Sequence, residues 1–245
     1  MKNISISQVI HGFAFKEIKV LLVIFFIIGG TWGFVELADE VAEGSTQNFD
    51  QMVLHSLREA EDLSQPLGPY WVTLFFSDFT ALGGGVVLTF LTFAIAGYFW
   101  LVKNYRSLLL VLIAALGGGA IDVLLKETFM RPRPDILIRL TEATSYSFPS
   151  GHSMMSAVVY LSLAAILARN LTQMKLRIFV ISLALFLTFF IGVSRIYLGV
   201  HYPTDVLGGW SAGLAWASLC WFGAWYFEQK ATKKLQIKDT QTSMD

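Results

Sequence analysis

Long stretches without charged residues recur along the chain and are separated by short polar connections. They cover 20–35, 79–102, 107–125, 151–168, 178–194 and 206–227, and Asp122 alone interrupts them. A bilayer core about 30 Å thick is crossed by roughly 20 apolar residues in a helix. Strands of a membrane barrel would instead alternate in polarity over about ten residues. The pattern therefore predicts an all-α fold, a bundle of six transmembrane helices.

The connection between the first and second predicted spans contains a further helical pattern. Within residues 48–64, apolar side chains recur at near-helical spacing at Phe49, Val53, Leu54 and Leu57. We expect an amphipathic helix there, lying on the outer membrane interface.

The first apolar stretch has a competing interpretation as a signal peptide, because basic residues precede it. It is long for the apolar region of such a peptide, and Glu36 follows it at once. We therefore retain it as a membrane span. We predict one integral membrane domain over residues 1–245, with a short cytoplasmic N-terminal segment, 1–17, and a C-terminal tail, 229–245.

Composition supports a membrane protein and excludes several other classes. Hydrophobic residues make up 55% of the 245 residues and charged residues 15%, against roughly 45–50% and about 25% in soluble domains. Mean hydropathy is +0.59. The 18 basic and 18 acidic residues cancel, so no basic surface for nucleic acid is expected. The single cysteine, Cys220, excludes a disulfide framework and a cysteine-built metal site.

The distribution of basic residues predicts the orientation of the bundle. Twelve of the 18 Lys and Arg residues lie in the two terminal segments and in the second and fourth connections between spans. Basic residues accumulate on the cytoplasmic side of a membrane. We therefore expect a multi-pass protein of the plasma (inner) membrane with both termini in the cytoplasm. Six basic residues remain on the outer side: Arg58, Lys126, Arg131, Arg133, Arg139 and Arg195.

Three of these outer cations stand beside other polar residues at predicted helix ends, whereas Arg58, Arg131 and Arg139 have no role evident from the sequence. Lys126 and Arg133 flank the end of the third span, and the prolines around Arg133 terminate the helix and stiffen its exit. Taken alone, this cluster is equally compatible with a charged membrane anchor. We expect Asp122, one turn before Lys126, to pair with that lysine inside the bundle.

The fourth span opens with Pro149-Ser150-Gly151-His152. Ser150 is the expected N-cap, and Gly151 allows a ligand to approach the backbone closely. The free N–H groups and the dipole of a helix N-terminus favour an anion. A well-capped helix whose His152 faces the bundle interior is the alternative.

The connection between the fifth and sixth spans contains Ser194-Arg195, His201 and Asp205. The four-residue spacing of His201 and Asp205 places them on one face in helical geometry. A carboxylate can hold the proton of one ring nitrogen and leave the other nitrogen free as a nucleophile. Alone, the pair would more simply cap the sixth helix. Together, the three clusters bring cations, backbone donors and two histidines to one membrane face, which is what phosphoryl transfer requires.

These clusters resemble the three signatures of the type 2 phosphatidic acid phosphatase (PAP2) superfamily of integral membrane lipid phosphatases. Lys126 with Arg133-Pro134 resembles the first signature, Pro149 to His152 the second, and Ser194-Arg195 with His201 and Asp205 the third. Spacing and residue types agree throughout. The signatures span 126–205, and the number and order of the helices extend the resemblance to nearly the whole chain.

The resemblance implies a role for each signature residue. His201 would attack phosphorus and form a phosphohistidine, Asp205 would orient it, and His152 would protonate the leaving alcohol. Phosphate oxygens would be held by Lys126, Arg133, Ser150, Gly151 and Arg195. No cofactor and no metal are implied. Zinc on His152, His201 and Asp205 is conceivable, but three neighbouring cations would repel a divalent ion.

The implied substrate is a lipid phosphate or diphosphate reached sideways from the bilayer, and membrane lipids are the expected partners. Candidates are phosphatidylglycerophosphate, phosphatidate, diacylglycerol pyrophosphate and undecaprenyl pyrophosphate. Two alternatives stay open: a lipid phosphotransferase on the same scaffold, and a transporter, which would distribute polar residues through the membrane depth. Close helix contacts are expected at Gly209 and Gly213 within the protomer; an oligomeric state does not follow from the sequence.

Overall fold

The computed structural model describes the backbone of residues 6–242, and side chains at 18, 20–135 and 137–230. Most of the two predicted cytoplasmic extensions, including Lys2, Lys16, Lys233, Lys234 and Lys238, lies outside the described side chains, as does the side chain of Lys19. The described part is helical and contains no strand beyond an isolated bridge between Arg58 and Pro66. Its α-helices are α1 (Ile6–Glu43), α2 (Gln47–Ser56), α3 (Tyr70–Leu82), α4 (Gly85–Leu101), α5 (Tyr105–Phe129), α6 (Gly151–Asn170), α7 (Met174–Tyr197) and α8 (Pro203–Thr242).

Four helices of the described part are long and apolar enough to cross a membrane: Val20–Glu43 within α1, and the whole of α5, α6 and α7. A fifth span arises if the bent pair α3 and α4 is counted as one. The protein is therefore an all-helical integral membrane protein. The sixth predicted span, 206–227, lies within α8 and stays a prediction.

The second predicted span was expected as one helix over 79–102, and in this respect the prediction was wrong. Helix α3 begins nine residues earlier, at Tyr70, and meets α4 at a bend of 42°. Gly83 and Gly84 form the break, and their N–H groups turn back to the carbonyls of Thr80 and Ala81. A side chain at Gly83 would collide with Ile191 of α7. The close approach of α7 therefore explains the glycine at the bend.

The amphipathic pattern over 48–64 also forms a shorter helix than predicted, because α2 ends at Ser56. The following residues fold back, and the N–H of Leu67 donates to the carbonyl of Leu57 at 2.9 Å. Asp50 and Leu54 are buried, whereas Met52 is exposed. One face of α2 therefore packs on the protein, and its position at a membrane interface stays a prediction.

Helix α6 lies at the centre of the bundle and packs against α5, α7 and α8. Its contact with α8 depends on small residues: a Cβ at Gly213 would lie 2.6 Å from the carbonyl oxygen of Met154 and 2.8 Å from Cβ of Ala157. The expected close helix contact at this glycine is thus present within one chain. It fixes the start of α8 beside the start of α6, where the polar clusters lie.

Candidate active site

A cavity of about 410 Å³ opens where α5 ends and α6 begins. Five of the eight predicted site residues line it: Lys126, Arg133, Gly151, His152 and Arg195. They come from α5, the loop after it, α6 and α7. The remainder of the wall is largely apolar and comes mainly from α4, α5 and α6, with Leu88, Phe93, Leu112, Leu116, Met155 and Val159. A polar pocket therefore continues into an apolar groove.

Lys126 lies in the last turn of α5 and is buried. Its Nζ donates to both carboxylate oxygens of Asp122, at 2.6 and 2.7 Å. The predicted pairing of these two residues is thus present. Because a buried ammonium is costly without a partner, Asp122 stabilises the charged lysine and fixes its position at the cavity wall.

Arg133 lies in the extended segment after α5, and its guanidinium is held from two sides. Nε donates to the carbonyl of Ser145 at 2.6 Å, and Nη1 donates to the carbonyl of Val200 at 2.7 Å. Nη1 also lies 3.1 Å from Nε2 of His201. Burial lowers the pKa of Arg133, and the charge of Asp205 opposes this effect. Arg133 therefore connects the cavity wall to the buried histidine.

His201 and Asp205 flank the start of α8 and are both almost completely buried. Nδ1 of His201 lies 3.3 Å from Oδ2 of Asp205. A guanidinium has donors only and a carboxylate has acceptors only. The contacts therefore favour the tautomer in which Nδ1 carries the proton toward Asp205 and the lone pair of Nε2 faces Arg133. This is the arrangement of a nucleophilic imidazole.

The protonation state of His201 follows from its surroundings. Burial lowers its pKa to about 4, and the hydrogen bond and charge of Asp205 oppose this shift without cancelling it. The ring is therefore neutral at physiological pH, with Nε2 unprotonated.

The N-terminus of α6 provides the second predicted histidine. Ser150 occupies the N-cap position, as expected, but its side chain makes no cap hydrogen bond. Its hydroxyl accepts from the Ser153 hydroxyl at 3.1 Å, and the residue is fully buried. Ser150 therefore does not line the cavity, whereas Gly151 and His152 do. A Cβ at Gly151 would lie 2.7 Å from Nζ of Lys126, so only a glycine lets the lysine approach this backbone.

Arg195, in the last turn of α7, has a free donor. Its Nη1 donates to the Thr80 hydroxyl at 2.7 Å. Its Nε is buried and has no hydrogen-bond partner among the described residues. A buried donor without a partner is costly, so the guanidinium of Arg195 retains unused capacity to donate hydrogen bonds at the cavity wall.

Arg131 is the main residue that sequence reasoning missed. It donates to Asp205 at 2.6 Å and to Asp50 at 2.7 Å. Ser147 also donates to Asp205, through its hydroxyl. The one sequence signal was the predicted position of Arg131 on the outer side of the membrane, where basic residues are disfavoured.

The two other outer arginines without an evident role hold loop carbonyls. Arg58 donates to Ile138 at 2.6 Å, and Arg139 donates to Pro134 at 2.8 Å. Both fix the loop that follows α5. Across the described residues, no three His, Cys, Asp or Glu side chains are grouped so that they could hold a metal ion.

Comparison with known proteins identifies similar chains. The model of the PAP2 superfamily matches residues 105–229, just over half of the chain. Phosphatidylglycerophosphatase B of Bacillus subtilis is 36% identical over 183 residues, which cover 74% of this chain and 86% of the relative. Undecaprenyl-diphosphatase BcrC of the same organism is 32% identical over 136 residues, covering 50% and 65%.

A solved structure extends the similarity to the fold. The crystal structure of a transmembrane PAP2-type phosphatidylglycerolphosphate phosphatase from Bacillus subtilis superposes with a TM-score of 0.72 at 31% identity. The match covers 84% of this chain and 97% of the other. The similarity therefore includes helices outside the three polar clusters.

Proposed function

Because the chain belongs to the PAP2 superfamily and is a phosphatase of membrane lipids, we propose that it releases phosphate through a phosphohistidine, without a metal ion. One observation carries this proposal: Arg133 lines the cavity and also contacts Nε2 of His201, whose Nδ1 faces Asp205. A phosphate held by Arg133 is thereby brought to the nucleophilic nitrogen.

In the first step, Nε2 of His201 attacks phosphorus and the bond from phosphorus to the leaving oxygen breaks. His152, in its protonated form, gives its proton to that oxygen, so the lipid leaves as an alcohol or as a monophosphate. The Nδ1 proton of His201 stays shared with Asp205, which stabilises the positive charge that forms on the ring.

In the second step, a water molecule attacks phosphorus and the phosphorus–nitrogen bond breaks. His152, now neutral, accepts a proton from that water. Inorganic phosphate leaves, and both histidines return to their starting states. Division of one difficult displacement into two easier ones is the general advantage of a covalent intermediate.

Charge stabilisation in both steps comes from side chains. Lys126, Arg133 and Arg195 line the cavity and carry the positive charge that the equatorial phosphate oxygens require. The N-terminus of α6 at Gly151 adds backbone donors. Ser150, which is buried behind this turn, supports the backbone there. These groups replace the metal ion of other phosphoryl-transfer sites, so no cofactor is needed.

The substrate is an amphiphile whose chain occupies the apolar part of the cavity. Leu88, Leu112 and Leu116 line this part together with the phosphate-binding cations. Relatives are named for phosphatidylglycerophosphate and undecaprenyl diphosphate. We include phosphatidate and diacylglycerol pyrophosphate, because all four lipids present the same terminal phosphoryl group.

We propose that the chain is one domain with six spans: α1, the bent pair α3 and α4, α5, α6, α7 and α8. The end of α5, the start of α6 and the end of α7 meet at the cavity. The start of α8 lies behind it, where His201 contacts Arg133, as four antiparallel spans require. The excess of basic residues at the opposite ends supports an outer position for the cavity and a cytoplasmic position for both termini. Helix α2 then lies at the outer interface.

The decisive experiment assays purified protein in detergent micelles against a panel of the four lipids. We expect phosphate release from at least one lipid and none from the His201→Ala variant, which should still elute as a folded protein. Acid-labile, base-stable radiolabel on the wild-type chain would identify the phosphohistidine. Transfer of label to a second lipid instead of water would identify a phosphotransferase. Full activity of His201→Ala would refute the mechanism.

Cysteine labelling tests the orientation. In a Cys220→Ser background, Glu43→Cys should react with a membrane-impermeant maleimide in intact cells. Lys175→Cys, on the opposite side of the bundle, should react only after permeabilisation. The reverse pattern would place the active site in the cytoplasm.

A further inference from the structure

Behind the proposed nucleophile lies a row of alternating charges that the cavity does not include. Arg131 Nη1 donates to Oδ1 of Asp205 at 2.6 Å, and Nη2 donates to Oδ2 of Asp50 at 2.7 Å. Both carboxylates are completely buried, and the Arg131 side chain is 13% exposed. The order along this row is Asp50, Arg131, Asp205 and His201.

Thr204 connects Asp50 and Arg131 from the other side. Its N–H and its hydroxyl donate to Asp50 at 3.1 and 2.7 Å, and the hydroxyl also accepts from Arg131 at 2.8 Å. The guanidinium lies 4.4 Å from the centre of the Tyr202 ring. Arg131 is therefore fixed by α2, by the start of α8 and by an aromatic face.

The two carboxylate oxygens of Asp205 accept hydrogen bonds from different partners. Oδ1 accepts from Arg131, whereas Oδ2 accepts from Ser147, from the N–H of Tyr202 at 2.8 Å and from His201. A carboxylate that turned about its Cβ–Cγ bond would lose the first contact. Arg131 therefore helps to fix the plane of the carboxylate, in the orientation in which one oxygen faces the histidine ring.

We propose that Arg131 and Asp50 are positioning residues for the reaction: Arg131 holds the Asp205 carboxylate toward Nδ1 of His201, and Asp50 holds Arg131. The inference rests on the proposed function, in which His201 attacks phosphorus. Neither residue lines the cavity, so neither contacts the phosphate. Their loss changes the rate of the chemical step more than the binding of substrate.

The geometry requires an arginine at position 131. The planar guanidinium of Arg131 reaches two carboxylates on different helices through two separate nitrogens. A lysine has a single ammonium nitrogen and cannot reproduce this geometry. Asp50 accepts from the second nitrogen of the guanidinium, which would otherwise have no carboxylate partner in this buried position.

The test measures the single-turnover rate constant with enzyme in excess, since this constant is independent of the fraction of active molecules. It compares four variants with the wild type: Arg131→Gln, Arg131→Lys, Asp50→Asn, and the double variant that combines Asp50→Asn with Arg131→Gln. Residues that orient a reactive ligand commonly contribute about 10- to 100-fold. We expect Arg131→Gln and Arg131→Lys to lose about that much, with KM within about twofold of wild type. Asp50→Asn should lose about tenfold alone and less than about twofold in the Arg131→Gln background.

Matched controls are Arg106→Gln, at the other end of α5, and Glu43→Gln, an exposed carboxylate just before α2. Both should retain the wild-type rate constant. Unchanged rate constants in the Arg131 variants, or a rise in KM alone, would overturn the inference. The inference would also be overturned if the rate loss of the double variant equalled the product of the losses of Asp50→Asn and Arg131→Gln. Activity of His201→Ala would instead refute the proposed function, so the two failures are distinguishable.

Discussion

Nη1 of Arg133 lies 3.1 Å from Nε2 of His201, the ring nitrogen that does not face Asp205. Because a guanidinium only donates hydrogen bonds, Arg133 donates to the lone pair of Nε2. In the proposed mechanism this lone pair attacks phosphorus. A phosphorus atom can reach this lone pair only when the guanidinium turns toward the phosphate oxygens. In the proposed mechanism, Arg133 therefore links phosphate binding to exposure of Nε2 of His201.

The protonation of His201 predicts the acidic limb of the pH profile. Burial lowers the pKa of this ring to about 4. The proposed nucleophile is neutral above that pH, and its neutral form is lost as the pH falls through that value. The value of kcat/KM should therefore fall about tenfold per unit below about pH 4. A second, basic limb is expected where His152 loses the proton that it must donate.

The profile is measured on a lipid phosphate in micelles, with the fraction of folded protein monitored at each pH. An acidic limb centred near pH 6.5, the ordinary value for histidine, would contradict the burial argument. A flat profile between about pH 3 and 9 would contradict the participation of two histidines.

The close contact between the Gly151 backbone and Lys126 predicts that a larger residue at position 151 would disturb the proposed phosphate site. A Cβ there would lie 2.7 Å from Nζ of Lys126 and 2.9 Å from Oδ2 of Asp122. Gly151→Ala should displace the lysine and reduce kcat/KM by about tenfold or more, because small displacements of catalytic groups are costly. Gly119→Ala is the control, since a Cβ on that residue of α5 meets no atom within 4 Å. Equal activity of the two variants would exclude a close role for the Gly151 backbone.

The sequence predicts the residues of the cavity wall better than the residues that support them. Lys126, Arg133, His152 and Arg195 stand next to prolines, glycines or helix ends, and such local patterns are visible in a sequence. Arg131 owes its position to Asp50, which is 81 residues away in the chain. No local pattern contains such a pair, because two helices must first pack together.

Helix boundaries show the same limit. The residues 79–102 are apolar throughout, so hydropathy alone gives no reason to divide them. The bend at Gly83 follows from the approach of Ile191 on α7, which is a tertiary contact. Ser150 lies correctly at the start of α6, but its hydroxyl accepts from Ser153 and makes no cap hydrogen bond, a difference that residue type and position alone do not reveal.

Gly213 predicts a packing effect without a change in assembly. A Cβ there would lie 2.6 Å from the Met154 carbonyl oxygen, so Gly213→Ala should force α8 away from α6. Overpacking of this kind costs about 1–3 kcal/mol, and we expect a lower unfolding temperature in detergent. Gly223→Ala on the same helix is the control, because its Cβ would meet no atom within 4 Å. A changed molar mass by light scattering, with an unchanged unfolding temperature, would instead indicate that Gly213 mediates association between chains.

Chelation tests the source of positive charge in the reaction. Three cationic side chains, Lys126, Arg133 and Arg195, line the cavity, and they are proposed to stabilise the phosphoryl oxygens in place of a metal. Prolonged incubation with EDTA should therefore leave the initial rate within about twofold of the untreated rate. Arg195→Gln should lose activity whether or not Mg²⁺ or Zn²⁺ is added, since the described part of the chain has no group of three acidic, His or Cys side chains that could hold a divalent ion. Loss of wild-type activity in EDTA, reversed by either ion, would show that the cations alone are not sufficient and that the proposed metal-free step is wrong.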